Sequence, residues 1–178
     1  MPISIKNTAT QYGLGARLLH WCSVALLVTL IVTAADFEDL DVSAEKIELI
    51  KLHASYGLLF LMVMFIRLYW RCTNINPVRS YNIQAWQKFS AQFLHWGIYF
   101  IVISQSLIGI VNLLVAGETL SFFSLFEIPA LFEKNSSIFE VSGALHYMLS
   151  ITIYALFAIH ISAAMYHQLF GVLDDEDE

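Results

Sequence analysis

Residues 143–170 read GALHYMLSITIYALFAIHISAAMYHQLF, and this stretch decides the fold of the chain. It contains no Asp, Glu, Lys or Arg, and it exceeds the about 20 apolar residues that a helix needs to cross a bilayer. Three earlier stretches, at about residues 18–35, 52–70 and 93–116, are also long and apolar, and Arg67 is their only charged residue. We therefore predict an all-α fold, a bundle of four transmembrane helices that forms a single domain over residues 1–178.

The composition supports a membrane protein over a soluble one with a large core. The chain is 58% hydrophobic and only 13% charged, with a mean hydropathy of +0.65, whereas average soluble domains carry about 25% charged residues. Its two cysteines, Cys22 and Cys72, do not lie in a Cys-x-x-Cys-His arrangement, which excludes covalent attachment of a c-type haem. The first apolar stretch lacks a small-residue cleavage site, so we expect it to remain in the mature protein.

The Lys and Arg residues predict the orientation of the chain, because cytoplasmic loops carry an excess of them. One side would hold Lys6, Arg17, Arg67, Arg71, Arg79 and Lys88, and the other would hold Lys46, Lys51 and Lys134. We therefore predict a multi-pass protein of the bacterial inner membrane with both termini in the cytoplasm. Its surroundings would be the lipid bilayer, with no nucleic-acid partner. The loop of residues 118–140, rich in Phe and Leu, is predicted to lie along the membrane interface.

The six histidines all fall in or beside the apolar stretches. From the periplasmic face inwards, they form three levels: His53 with His146, His20 with His160, and His95 with His167. Ionisable residues inside a membrane are costly and are usually functional. The histidines are therefore the first candidates for a functional site.

The spacing of two histidines in the last helix points to two cofactors. His146 and His160 are 14 residues apart, so they project from nearly the same face with a rise of about 21 Å between them. Such a separation is too large for one metal ion, but it suits two haems stacked across the bilayer. His53 is the natural partner of His146, and His20 of His160. Two imidazoles as axial ligands of each haem iron leave no open position, which suits electron transfer.

Cationic and small residues stand near the predicted haems. Arg17, Arg67 and Arg71 lie at the depth of the inner haem and Lys51 near the outer one, where they could meet the anionic propionates. Gly57 lies one turn from the histidine of the same helix and would let a flat ring approach. Two alternatives stay open at this point. A single histidine in an apolar helix is more often an interhelical hydrogen-bonding residue, and stacked histidines also suit a proton or metal pathway.

Five motifs in order resemble a known family. They are LLHW at residues 18–21, HASYG at 53–57, IRLYWR at 66–71, HWGIYFIVISQSLIG at 95–109 and LHYMLSITIYALFAIHISAAMYH at 145–167. This combination resembles the bacterial di-haem cytochrome b561 proteins of the small four-helix type, over about residues 15–171. The resemblance implies two haems b whose ligands match His20, His53, His146 and His160, in the pairs that the depth argument also gives.

The resemblance further implies exchange of electrons with ubiquinone or menaquinone. Some members oxidise superoxide at the outer face, so the chain resembles a quinone-linked superoxide oxidoreductase. Matching positions make His167 a candidate for quinone contact, and His95 lies at a similar depth. One feature departs from this pattern, since the outer loops are acidic and superoxide is an anion. The alternative is an electron-transfer membrane subunit that docks a periplasmic redox protein and has no small substrate of its own.

Overall fold

The computed structural model describes residues 4–38, 40–77, 84–130 and 133–170. Its elements are α1 (Leu14–Glu38), α2 (Ala44–Thr73), α3 (Ala85–Val115), β1 (Leu120–Phe122), β2 (Phe126–Ile128) and α4 (Ser136–Phe170). Each of the four helices contains a window that is long and apolar enough to cross a membrane. The prediction of four transmembrane-length helices is therefore confirmed, with a small strand pair added to the predicted all-α fold.

The helices extend beyond the stretches that hydropathy predicted. Helix α2 begins at Ala44, about eight residues earlier than expected, and α3 begins at Ala85 instead of about residue 93. Ser43 caps α2, because its Oγ accepts a hydrogen bond from the Lys46 backbone N–H at 3.2 Å. Hydropathy detects only the part of a helix that can sit in hydrocarbon. The polar first turns of α2 and α3 continue the same helices and carry no such signal.

The bundle has two distinct ends. The end at which α1 and α3 begin and α2 and α4 end is the terminal end, and the opposite end, which carries β1 and β2, is the hairpin end. Which end faces the cytoplasm stays a prediction. At the hairpin end, β1 and β2 pair antiparallel, with Leu120 opposite Ile128. The buried Ser55 hydroxyl lies 2.7 Å from the Ser121 carbonyl and accepts from the Phe123 N–H at 3.2 Å, so the strand pair is held on α2.

Packing divides the bundle into two helix pairs, α1 with α2 and α3 with α4, which meet along α2 and α3. Within the described ranges, no Cα atom of α4 lies within 8 Å of a Cα atom of α1 or α2. A gap between backbones therefore separates α4 from the first helix pair, although Ile153 of α4 belongs to the same core cluster as Leu27 of α1 and Phe60 of α2. The small core consists of Leu27, Phe60, Met64, Tyr99, Val102 and Ile153. Outward-facing apolar side chains such as Phe100, which is 70% exposed, give the bundle the surface that a lipid environment requires.

Candidate functional site

His53 of α2 and His146 of α4 face each other near the hairpin end, with ring centroids 6.4 Å apart. Thr33 of α1 orients the first of them. The Thr33 hydroxyl donates to the Thr29 carbonyl at 2.9 Å, so its oxygen can accept the N–H of His53 Nδ1 at 3.0 Å. This hydrogen bond favours the tautomer in which His53 Nε2 carries a lone pair. Orienting partners of this kind are typical of metal-ligating histidines.

Helix α3 supports His146 through a missing side chain. A Cβ atom built at Gly109 would lie 2.8 Å from Cε1 and 3.2 Å from Nδ1 of His146, so any other residue there would displace the ring. The Gln105 backbone carbonyl lies beside the same ring. Among the described residues, His146 Nδ1 is buried without a hydrogen-bond partner of good geometry. Glycine at position 109 therefore allows α3 to approach His146 closely.

His20 of α1 and His160 of α4 form a second pair toward the terminal end, with ring centroids 6.5 Å apart. Arg67 of α2 lies against this pair. Its Nη1 donates to the Ser23 hydroxyl at 2.8 Å, and its Nη2 donates to His20 Nδ1 at 2.7 Å. A guanidinium can only donate, so in this contact a neutral His20 ring carries its proton on Nε2. Ligation of a metal through Nε2 would therefore require the Arg67 side chain to move off Nδ1. The guanidinium also acts electrostatically on His160. A cation thus stands in direct contact with the terminal-end pair.

A third histidine approaches the terminal-end pair. The His95 ring of α3 lies 5.4 Å from that of His160 in an edge-to-face contact. One turn further along α3, Tyr99 lies beneath the guanidinium of Arg71, 5.7 Å from the ring centroid, and Trp96 lies 5.4 Å from the same guanidinium. The backbone of His167 belongs to α4, but its side chain lies outside the described part of the structure.

The spacing of the two pairs fits a haem iron between two imidazoles. A metal bound by a ring nitrogen on each side, at about 2 Å per bond as for zinc, holds the ring centroids about 6 Å apart. The observed distances of 6.4 and 6.5 Å agree with this value. The shorter distance from His95 to His160 fits direct ring contact instead. Because α4 is continuous from Ser136 to Phe170, the two pairs are separated along it by about 21 Å.

Three other predicted site residues, Arg17, Lys51 and Gly57, do not contact a histidine pair in the contacts that the structure shows. Arg17 is exposed on α1, and its Nε donates to the Tyr12 carbonyl at 3.1 Å. Lys51 forms an ion pair with Glu48 at 2.9 Å. Lys51 and His53 are two positions apart on α2, so their side chains project in nearly opposite directions and Lys51 points away from the pair that contains His53. The role of Lys51 toward a propionate stays a prediction. A side chain at Gly57 would meet no atom within 4 Å, which leaves room beside that pair.

Some groups at the site were not predicted from the sequence. Thr33, Ser23 and Gly109 contact the histidine pairs or their partners, and only the polarity of the first two at membrane depth could have indicated them. The Trp70 indole N–H is buried without a hydrogen-bond partner among the described residues, and it offers a donor at the terminal end. In the same residues, no group of three or more His, Cys, Asp or Glu is arranged to hold a metal ion.

Comparison with known proteins identifies the family of the chain. The family described as prokaryotic cytochrome b561 matches residues 11–174. The chain is also 24% identical to cytochrome b561 homolog 2 of Escherichia coli (strain K12), over 98% of this chain and 92% of that protein. The chain therefore belongs to the prokaryotic cytochrome b561 family, and this membership implies b-type haem and electron transfer across a membrane.

Proposed function

We propose that the protein carries electrons across the bilayer through two haems b, one held by His53 and His146 and the other by His20 and His160. The observation that carries this proposal is the recurrence of one ring spacing, 6.4 and 6.5 Å, at two depths of a single helix. When bound, a haem held by two imidazoles would supply one-electron chemistry with little rearrangement of the protein.

The residues of the chain would orient these groups and compensate their charge. Thr33 would fix the tautomer of His53 so that Nε2 is free for the metal. Arg17, Arg67 and Arg71 stand at the terminal end, where they would meet the propionates of the haem on His20 and His160. The buried indole N–H of Trp70 would be a further donor there.

The terminal end is also the proposed place of quinone exchange. His95 lies against His160, so a quinone bound beside His95 would be next to the ligand pair. An imidazole there could hydrogen-bond a quinone carbonyl and deliver a proton as the quinone is reduced. His167, seven residues beyond His160 in α4, is the second candidate. We take the terminal end as cytoplasmic, from the Lys and Arg bias, in a bacterial inner membrane.

An absorption spectrum of the purified protein tests the proposal. We expect a b-type band that appears on dithionite reduction and is split or broadened, with two haems per chain by quantitation against protein. Two non-equivalent sites produce this band shape, because each haem experiences a different environment. A protein without haem bands would contradict the proposal. The remaining interpretation of the stacked histidines would then be a proton or metal pathway.

The donor at the hairpin end could be a small molecule or a protein, and the charges there favour a basic redox protein. A polar groove of about 500 Å³ is lined in part by Glu48, Lys51, Glu118 and Glu127. Its lysine is paired with Glu48. Lys46 donates from Nζ to the Leu40 carbonyl at 2.7 Å and does not line this groove with Lys51. This surface would repel superoxide and attract a cationic partner.

Salt dependence separates the two donors. We expect haem reduction by a superoxide pulse to be slow and to become faster at high salt, because salt screens the repulsion by the Glu side chains that line this groove. Reduction by a basic donor protein, such as a reduced basic cytochrome c, should show the opposite dependence. Rapid-mixing measurements of the haem band at low and high salt would show this. Fast reduction of the haem by superoxide that slows at high salt would contradict a repulsive surface at the hairpin end and support superoxide as the donor.

A further inference from the structure

The two histidine pairs differ sharply in the charge around them. Arg67 contacts His20 at 2.7 Å and also acts electrostatically on His160. Arg71, one turn further along α2, lies close enough to act on Arg67 and stacks over Tyr99. Within the described ranges, neither guanidinium has a carboxylate partner, because the ion pair found there is Lys51 with Glu48. The terminal-end pair therefore lies beside two positive charges that no carboxylate of the described protein compensates, and that would offset the negative charge of the haem propionates.

Neutral groups surround the other pair. His53 contacts the Thr33 hydroxyl and the edge of the Phe37 ring, 5.4 Å between centroids. His146 lies against Gly109 and the Gln105 carbonyl. The nearest cation along α2, Lys51, is turned away and paired with Glu48. No guanidinium or ammonium group in the described structure contacts this pair.

We propose that Arg67, assisted by Arg71, gives the terminal-end haem site the higher reduction potential of the two, so that a single electron shared between them resides at the terminal end. This inference rests on the proposed function. Reduction adds one negative charge to a haem site, and a fixed positive charge in a low-dielectric interior stabilises the reduced form. A guanidinium keeps its charge at every ordinary pH.

The direction of electron transfer follows from this ordering. An electron that enters at the hairpin end would move to the terminal end with a decrease in free energy. The hairpin-end site would be oxidised by one electron as the terminal-end site is reduced by one. The accessory hydrogen bond at the hairpin end acts in the same sense. A Thr33 hydroxyl that accepts the N–H of His53 Nδ1 would make this imidazole a stronger donor to a bound metal and would so favour the oxidised form.

Potentiometric titration of the full-length protein, followed in the haem bands, tests the ordering. In the parent protein we expect two midpoints. Arg67→Gln should lower the higher midpoint by at least about 59 mV, which is a tenfold change in the equilibrium constant for one electron, and should leave the lower midpoint in place. Arg71→Gln should lower the same midpoint by less. The matched control is Lys88→Gln, because Lys88 is exposed on α3 and its charge is screened by solvent.

Single-site backgrounds assign each midpoint. Arg67→Gln should shift the one midpoint left in a His146→Ala protein and should not shift the one left in a His20→Ala protein. If Arg67→Gln loses haem, two other variants test the ordering of the potentials. Arg67→Lys should keep the higher midpoint, and Arg71→Gln should lower it. Two retained haems with an unmoved higher midpoint, or a shift of the lower one, would overturn this inference alone. A parent protein without haem bands would refute the proposed function together with it.

Discussion

The His146→Ala variant is expected to bind one haem per chain where the parent binds two. His146 belongs only to the hairpin-end pair, and α4 separates it from His160 by about 21 Å, so removing its imidazole should leave the terminal-end pair intact. The haem-to-protein ratio and the reduced-minus-oxidised spectrum of the purified variant measure this directly. The remaining band should be narrower than that of the parent, since a single site is left.

His95→Ala is the matched control for this experiment. It also removes an imidazole from the interior of the bundle, and His95 contacts the ring of a proposed ligand. Its spacing to His160, however, is that of ring contact and is too short for a metal between two imidazoles. We expect the control to keep both haems. Loss of both haems from His146→Ala, or of one from His95→Ala, would show that the pairs are not those proposed here.

Gly109→Ala should reduce occupancy of the hairpin-end haem site, even though it adds only a methyl group. The new Cβ would lie 2.8 Å from His146 Cε1, so the ring must turn away from its position opposite His53. Changes in groups that orient metal ligands commonly cost about 10–100-fold in affinity. We expect a loss of that order when haemin is titrated into the haem-free variant, with the terminal-end site unaffected.

Gly97→Ala provides the control on the same helix. A Cβ at Gly97 would meet no atom within 4 Å, so the substitution changes the composition of α3 by the same group without touching a histidine. Both haems should bind as in the parent. If the two variants lose haem equally, the cause is a general effect on α3 and the contact between Gly109 and His146 is not important for binding.

The sequence predicts the helices well because hydrocarbon imposes a simple length requirement. The stretch of residues 143–170 lies inside α4, and the two histidine pairs follow from depth alone. Helix ends were predicted less well. The turns from Ala44 to Lys51 are polar, so they look like loop to a hydropathy window although Ser43 caps a continuous helix there.

Contacts between helices could not be predicted in the same way. Thr33 meets His53 because α1 and α2 pack in one particular register, and Gly109 meets His146 for the same reason on α3 and α4. Register depends on how all the side chains of two helices interlock, which no local pattern records. The strand pair was also missed. Its alternation is only three residues long on each strand. The strand pair lies within the loop of residues 118–140 and packs on α2, and the place of this loop along the membrane interface stays a prediction.

The gap between α4 and the first helix pair bears on how the protein is made. Within the described ranges, backbone packing does not bring α4 against α1 or α2, yet both proposed haems bind between α4 and those helices. In a newly inserted chain the two helix pairs would therefore be held together by the packing of α2 on α3, and the cofactors would add the connection between α4 and the first pair. A ligand that binds only the assembled form shifts the balance toward it. The amount of this protein in the membrane would then follow the supply of haem in the cell, because chains without haem would be exposed to quality-control proteases.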